Sequence, residues 1–423
     1  MNSTLRWSVL AAAFAVLTAA GSAQSPAPQT LAVPGAANTT PSLAVSGRTV
    51  AAVWTATKDG IANVYFARSS DGGATFSSPR RVNDQDGDAG ATNEQPPRLV
   101  ISGTGAAQTF TVMWSKRDQG PMETRRDIIR VSRSTDGGRT FSPARFAHDP
   151  SLSGARGWEA LALGANGVVH AVWLDGRDAN KKIAAMSHNG VSHKGQPPQE
   201  IYHATLASDG RMIETRIAED VCFCCKTAVA VDSRGGVYAA WRHVFPGSMR
   251  DIAFARSFDG GRQFSPLVRV SDDRWQLNGC PEDGPSLAVD SAGTIHITWS
   301  TVVNAGEPYK VLFYATSRDG RTFSPRAQIP TSENATPGHP HLTLTRDGGA
   351  AIVFDETIKG ARRVSLARVS RTGEPQRPEV LSANDSASHP VVVQTNPRGL
   401  LIAWTSRSDD PSIPSTIRLR RID

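Results

Sequence analysis

The sequence predicts an all-β chain folded as a seven-bladed β-propeller, and three observations in its 423 residues carry that prediction. A four-strand pattern recurs seven times at a period of roughly fifty to seventy residues, the spacing of blade or solenoid repeats. One strand of each unit closes on an aromatic side chain: Trp54, Trp114, Trp173, Trp241, Trp299, Phe354 and Trp404. The last unit stops after Ile417-Arg418-Leu419-Arg420 without a fourth strand, while Thr30-Leu31-Ala32-Val33 precedes the first unit without partners. Joining the two ends completes the seventh blade and removes an open sheet edge. Six blades with a separate tail is the alternative count.

Each unit opens on an apolar strand entered through proline or its substitute: Pro41, Pro97, Glu159, Lys226, Pro285, Pro340 and Pro390. The aromatic-closed strand follows, then a third strand such as Val64-Tyr65-Phe66-Ala67, a glycine-rich turn, and a short fourth strand such as Arg80-Arg81-Val82. Six of the nine tryptophans occupy one repeated position, which reads as core rather than as ligand contact.

The glycine-rich turn is Ser134-Thr135-Asp136-Gly137-Gly138-Arg139-Thr140-Phe141, with copies at Ser69–Phe76 and, less complete, at Ser257–Phe264 and Ser317–Phe323. The aspartate accepts backbone amides, the glycines supply positive φ, and the phenylalanine packs beneath. The pattern Ser-x-Asp-x-Gly-x-Thr-Phe resembles the Asp-box (BNR) repeat of sialidase-like β-propellers. The resemblance implies one such domain over residues 30–423 and, were the chain an enzyme, a glycoside hydrolase of exo-sialidase type. No Arg-Ile-Pro motif is present, so no catalytic residue transfers by motif.

Residues 1–23 carry Arg6, an apolar run and Gly21-Ser22-Ala23, which reads as a signal peptide cut after Ala23; residues 24–29 form a linker. The expectation is a periplasmic or secreted monomer with no membrane insertion. The net charge of +7 comes from lysines and arginines scattered through every repeat, which argues against a nucleic-acid stripe.

The Asp-box turns join third to fourth strands and mark the back face. Function is expected on the front, where Thr40, Pro96, Trp158, Cys225, Gly284, His339 and His389 share one register before the inner strands. Glu94, Asp283 and Glu282 lie just upstream, and Asp175, Arg177, Asp178, Arg242, Asp355 and Glu356 sit in turns after the second strands. Three readings stand. The leading one is a binding or scaffold propeller that takes a glycan or protein ligand on the front face. A second is a hydrolase using Asp175, Arg177, Arg242, Asp355 and Glu356, with Asp178 and Glu94 as further carboxyl candidates. A third is a copper or zinc site built on Cys222, Cys224, Cys225 and Cys280, completed by His339 and His389; the alternative for these cysteines is disulfides. Calcium at Asp84-Gln85-Asp86-Gly87-Asp88 is disfavoured because the twelve-residue loop pattern is missing.

Overall fold

The computed structural model describes residues 28–422 apart from 91, 93, 117–126, 153, 166, 179–198, 208–211, 278–280, 282, 383–385 and 396–398. The expected signal peptide and Cys280 lie outside these residues.

Seven four-stranded antiparallel sheets stand around a central channel. The innermost strands are Ala37–Ser46, Arg98–Ser102, Arg156–Leu163, Ala228–Val231, Ser286–Val289, Thr336–Leu344 and Ser386–Gln394. Each neighbours the next around the ring, and the last packs against the first. The ends close as expected, with Gln29–Leu31 forming the outer strand of the last sheet through Gln29↔Leu419, Thr30↔Arg418 and Leu31↔Ile417. The strand begins at Gln29, inside the segment read from sequence as linker.

The second-strand aromatics explain how the blades hold together. Trp114 packs among Val53, Val64 and Phe66 of the preceding blade. Trp54 does the same against Leu401, Ala403 and Ile417 across the closure. Phe354 fills the equivalent space beside Leu312 and Tyr314. Each aromatic therefore seals its blade to the one before it, and all seven are buried, Trp54, Trp173, Trp241, Trp299 and Phe354 completely. Their indole N–H groups are satisfied locally: Trp54 donates to Asn38 Oδ1 at 2.9 Å and Trp299 to Asp273 Oδ2 at 2.7 Å.

The four Ser-x-Asp turns share one hydrogen-bond pattern. Asp136 Oδ1 accepts the amides of Arg139 and Thr140, both at 3.0 Å, and Oδ2 accepts the Thr140 hydroxyl at 2.6 Å. Asp71, Asp259 and Asp319 repeat it with their own following amides. After each turn a proline, which cannot donate to a ladder, delays pairing, and the fourth strand shrinks to two residues such as Arg80–Arg81 or Arg145–Phe146. In the third blade the sequence keeps only Ser208-Asp209-Gly210 of the pattern, and the outer strand runs ten residues, Met212–Val221.

Candidate functional site at the channel mouth

The shared register before the inner strands has a conformational cause. Thr40, Trp158, His339 and His389 all adopt left-handed backbone, φ 51–55°. At each of them the pairing to the second strand skips, as between Gly338 and His341 or Ser388 and Val391. Such bulges turn the strand and re-aim a side chain, at Thr40, His339 and His389 toward the channel cavity and at Trp158 over the cysteines. In the fifth blade the position is Gly284, where a Cβ would stand 1.9 Å from the Lys226 carbonyl oxygen, so only glycine fits against the neighbouring strand.

At this mouth, residues of five blades meet. Glu94 is presented by a turn in which Thr92 Oγ1 accepts the Glu94 and Gln95 amides at 3.3 and 3.1 Å. Its Oε1 lies 3.0 Å from His389 Nε2 and 3.3 Å from His339 Nε2, and its Oε2 lies 3.3 Å from Lys226 Nζ. His339 Nδ1 donates to Asp355 Oδ2 at 2.8 Å, and the same oxygen accepts the His389 amide at 2.9 Å. Asp283 accepts the His339 amide at 2.8 Å and Lys310 Nζ at 2.6 Å. The two imidazole rings stand 4.2 Å apart, centroid to centroid. The cavity below measures about 180 Å³ and is lined by inner-strand entries of all seven blades, from Thr40 to His389.

Charge pairing sets the protonation of the cluster. Burial would push His339 down, but Asp355 and Asp283 outweigh it and raise it to about 9. Burial pushes His389 down to about 4, against the pull of Glu94. Burial opposes ionisation of Glu94, yet Lys226, His339 and His389 together hold it well below the usual carboxylate range.

The other sequence candidates have different surroundings. Asp175 is fully engaged: Oδ2 accepts Arg156 Nε at 3.0 Å, Trp173 Nε1 at 2.9 Å and Arg177 Nη2 at 2.7 Å, and Oδ1 accepts the Arg177 amide at 2.9 Å. Arg177 also reaches Glu214 at 2.6 Å and covers the Tyr202 ring at 3.8 Å. Arg242 is buried and donates to the carbonyls of Arg250, Asp283 and Ser300. Glu356 is buried against Ser332, Ser365 and Arg363. Of the five catalytic candidates, Asp355 is the one that touches the histidines. In the loop weighed for calcium, Asp84 accepts the Ala144 amide, Asp86 pairs with Arg81, and Asp88 pairs with Arg130 and Lys116.

The cysteines form a separate cluster beneath Trp158, Phe223 and Val244. Cys222 and Cys225 are free thiols 3.3 Å apart, and Cys224 Sγ stands 4.0 Å from Cys222 Sγ. Among the described residues, the structure groups His339 and His389 with Glu94 rather than with these sulfurs. Lys226 and Lys310 were not anticipated. Lys226 carried a signal, being a charged residue where five of the seven units have proline. Lys310 reaches in from a third strand, Glu307–Ser317, and left no trace in the repeat pattern.

The fold defines the class as a seven-bladed β-propeller with a polar basin at one end of its channel. A scan of family models and a search of curated proteins returned no match. Solved structures do match. A polysaccharide lyase of family PL25, an ulvan lyase, is 10% identical with TM-score 0.57, covering 94% of this chain and 96% of that one. A protein of unknown function from Dyadobacter fermentans is 12% identical with TM-score 0.53, covering 95% and 99%. The α-L-arabinanase of Penicillium chrysogenum complexed with arabinobiose is 13% identical with TM-score 0.50, covering 76% and 92%. At these identities the likeness is one of fold.

Proposed function

We propose that this protein binds an acidic glycan end-on at the channel mouth, on the face opposite the Ser-x-Asp turns. The observation that carries the reading is the layering of charge. Lys226 and Lys310 keep 17% and 25% of their side chains exposed, whereas Asp283 and Asp355 keep 2% and 4%. The two lysines share the water-facing wall with Glu94, 19% exposed and paired with Lys226, while Asp283 and Asp355 stand behind. Lys310, the most exposed of the set, is the cation that meets a carboxylate or sulfate on the ligand. The chain's net charge of +7 favours the same class of partner. A cavity of about 180 Å³ is smaller than the roughly 300 Å³ at which drug-sized sites begin, so one terminal sugar with its substituent is the unit that fits. Two of the structures sharing the fold, the ulvan lyase and the arabinanase, act on glycans by their names, which supports the ligand class.

Binding is favoured over hydrolysis by the position of His339. The acids Glu94 and Asp355 come from different blades, but the His339 ring stands between them and contacts both. A hydrolytic pair instead leaves its gap, about 5 to 9.5 Å, open for sugar and water. An exported monomer would meet its glycan outside the cytoplasm, and the sialidase-like turns would serve the back of the scaffold.

The test is calorimetric titration with uronate-bearing, sulfated and neutral oligosaccharides. The acidic ligands should bind, more weakly as salt rises, and Lys310→Gln should weaken them about tenfold by removing one charge-assisted contact. Equal binding of neutral oligosaccharides, or indifference to both Lys310→Gln and Lys226→Gln, would contradict the proposal. New reducing ends or unsaturated products in the same tubes would make the protein an enzyme instead.

A further inference from the structure

We infer that Glu94, His339 and His389 form a binding site for one divalent first-row transition-metal ion at the channel mouth. Their donor atoms all lie within 4.8 Å of one another. Bonds of about 2.1 Å at tetrahedral or octahedral angles separate neighbouring donors by about 3.0 to 3.4 Å. Glu94 Oε1 already stands 3.0 and 3.3 Å from the two Nε2 atoms, so an ion enters with small side-chain shifts.

The surroundings are those of a ligand set rather than of a chance cluster. Asp355 Oδ2 accepts from His339 Nδ1, which turns Nε2 toward Glu94 and fixes the ring. The same oxygen accepts the His389 backbone amide, so one carboxylate fixes the His339 ring and anchors the main chain that carries His389. Lys226 pairs with Glu94 Oε2 and leaves Oε1 to the ion. Both histidines sit on the left-handed bulge that the repeat also gives Thr40 and Trp158, and in the sixth and seventh blades it carries imidazoles to the channel mouth. Two imidazoles and one carboxylate suit zinc, iron, manganese or cobalt and leave coordination positions open toward the channel for an oxygen ligand. The inference needs no sugar and stands apart from the glycan reading.

The test uses cobalt and zinc chlorides on full-length mature protein stripped by chelator. One Co²⁺ per chain should bind with visible ligand-field bands and without near-ultraviolet sulfur-to-metal charge transfer, and Zn²⁺ should displace it. Glu94→Gln and His389→Gln should weaken binding at least tenfold, and Cys222→Ser should not. Zn²⁺ should raise the melting temperature of the wild type and leave that of Glu94→Gln unchanged, a comparison that checks folding of the variant at the same time. No binding at micromolar metal, sulfur charge transfer, or unaltered affinity in both Glu94→Gln and His389→Gln would overturn the inference.

Discussion

Glu94 Oε1 and His389 Nε2, from residues 295 positions apart, meet at 3.0 Å across the mouth of the channel. The contact exists because the ring is closed: Glu94 precedes the inner strand of the second blade and His389 enters that of the seventh. Whatever opens the ring therefore also takes the site apart.

Closure gives the first prediction. Leu31 is 6% exposed and packs with Trp54, Ala403 and Ile417. Leu31→Ala should lower unfolding free energy by about 2 to 4 kcal/mol in urea denaturation, the usual cost of truncating a buried leucine. An effect below about 0.5 kcal/mol would mean that the terminal strand adds nothing to the seventh blade.

Two adjacent acids should behave in opposite ways. Asp355 and Glu356 point to opposite sides of the strand Ala350–Ile358, one to the histidines and one to Ser332, Ser365 and Arg363. Glu356→Ala leaves buried donors without an acceptor and should cost about 2 to 4 kcal/mol of stability. Asp355→Asn should cost less stability and reduce metal affinity about 10- to 100-fold through the loosened His339. Thermal unfolding and metal titration on both variants separate the roles, and identical profiles would refute them.

The turns predict a pH dependence. Hydrogen bonds from Thr140 hold Asp136 well below its ordinary 3.8, and bonds from the Thr322 and Arg321 amides do the same for Asp319. A carboxylate whose pKa is lower in the folded state stabilises fully above its unfolded value. That contribution disappears as pH falls through 3.8 toward the folded value. Melting temperature should thus drop below about pH 4, less steeply in Asp136→Asn than in the wild type. Equal slopes would show that the turn carboxylate contributes nothing to acid stability.

Much of this was legible because it repeats. The aromatic at the end of each second strand, the closure of the ends and the common register of His339 and His389 all follow from aligning seven copies of one unit. What did not repeat stayed hidden. Glu94 was legible as a front-face residue upstream of an inner strand, but its contacts with His339, His389 and Lys226 were not, because it reaches them through a loop turned by Thr92 and no periodicity encodes that turn. Asp355 and Glu356 looked equivalent, since the parity of one strand is fixed only by its register with its neighbours. Asp175 looked catalytic in sequence, whereas in the fold it accepts a tryptophan N–H and two guanidinium groups.

The thiols supply a further prediction. The S–H of Cys225 donates to Cys222 and, with Arg250 and Arg242 nearby, draws Cys222 below its ordinary value against its burial. Burial pushes Cys225 well up. In protein made under reducing conditions, a maleimide should label both residues after unfolding, by peptide mapping. Mild oxidation of the folded protein should remove both labels together, since the sulfurs are 3.3 Å apart. Loss of one label alone would contradict a paired dithiol.

The most direct measurement is anomalous diffraction at the cobalt edge from crystals of the mature protein grown with Co²⁺. A single peak about 2.1 Å from Glu94 Oε1, His339 Nε2 and His389 Nε2 is the predicted result. A peak at Cys222 and Cys225, or an empty channel mouth at full occupancy elsewhere, would contradict the account.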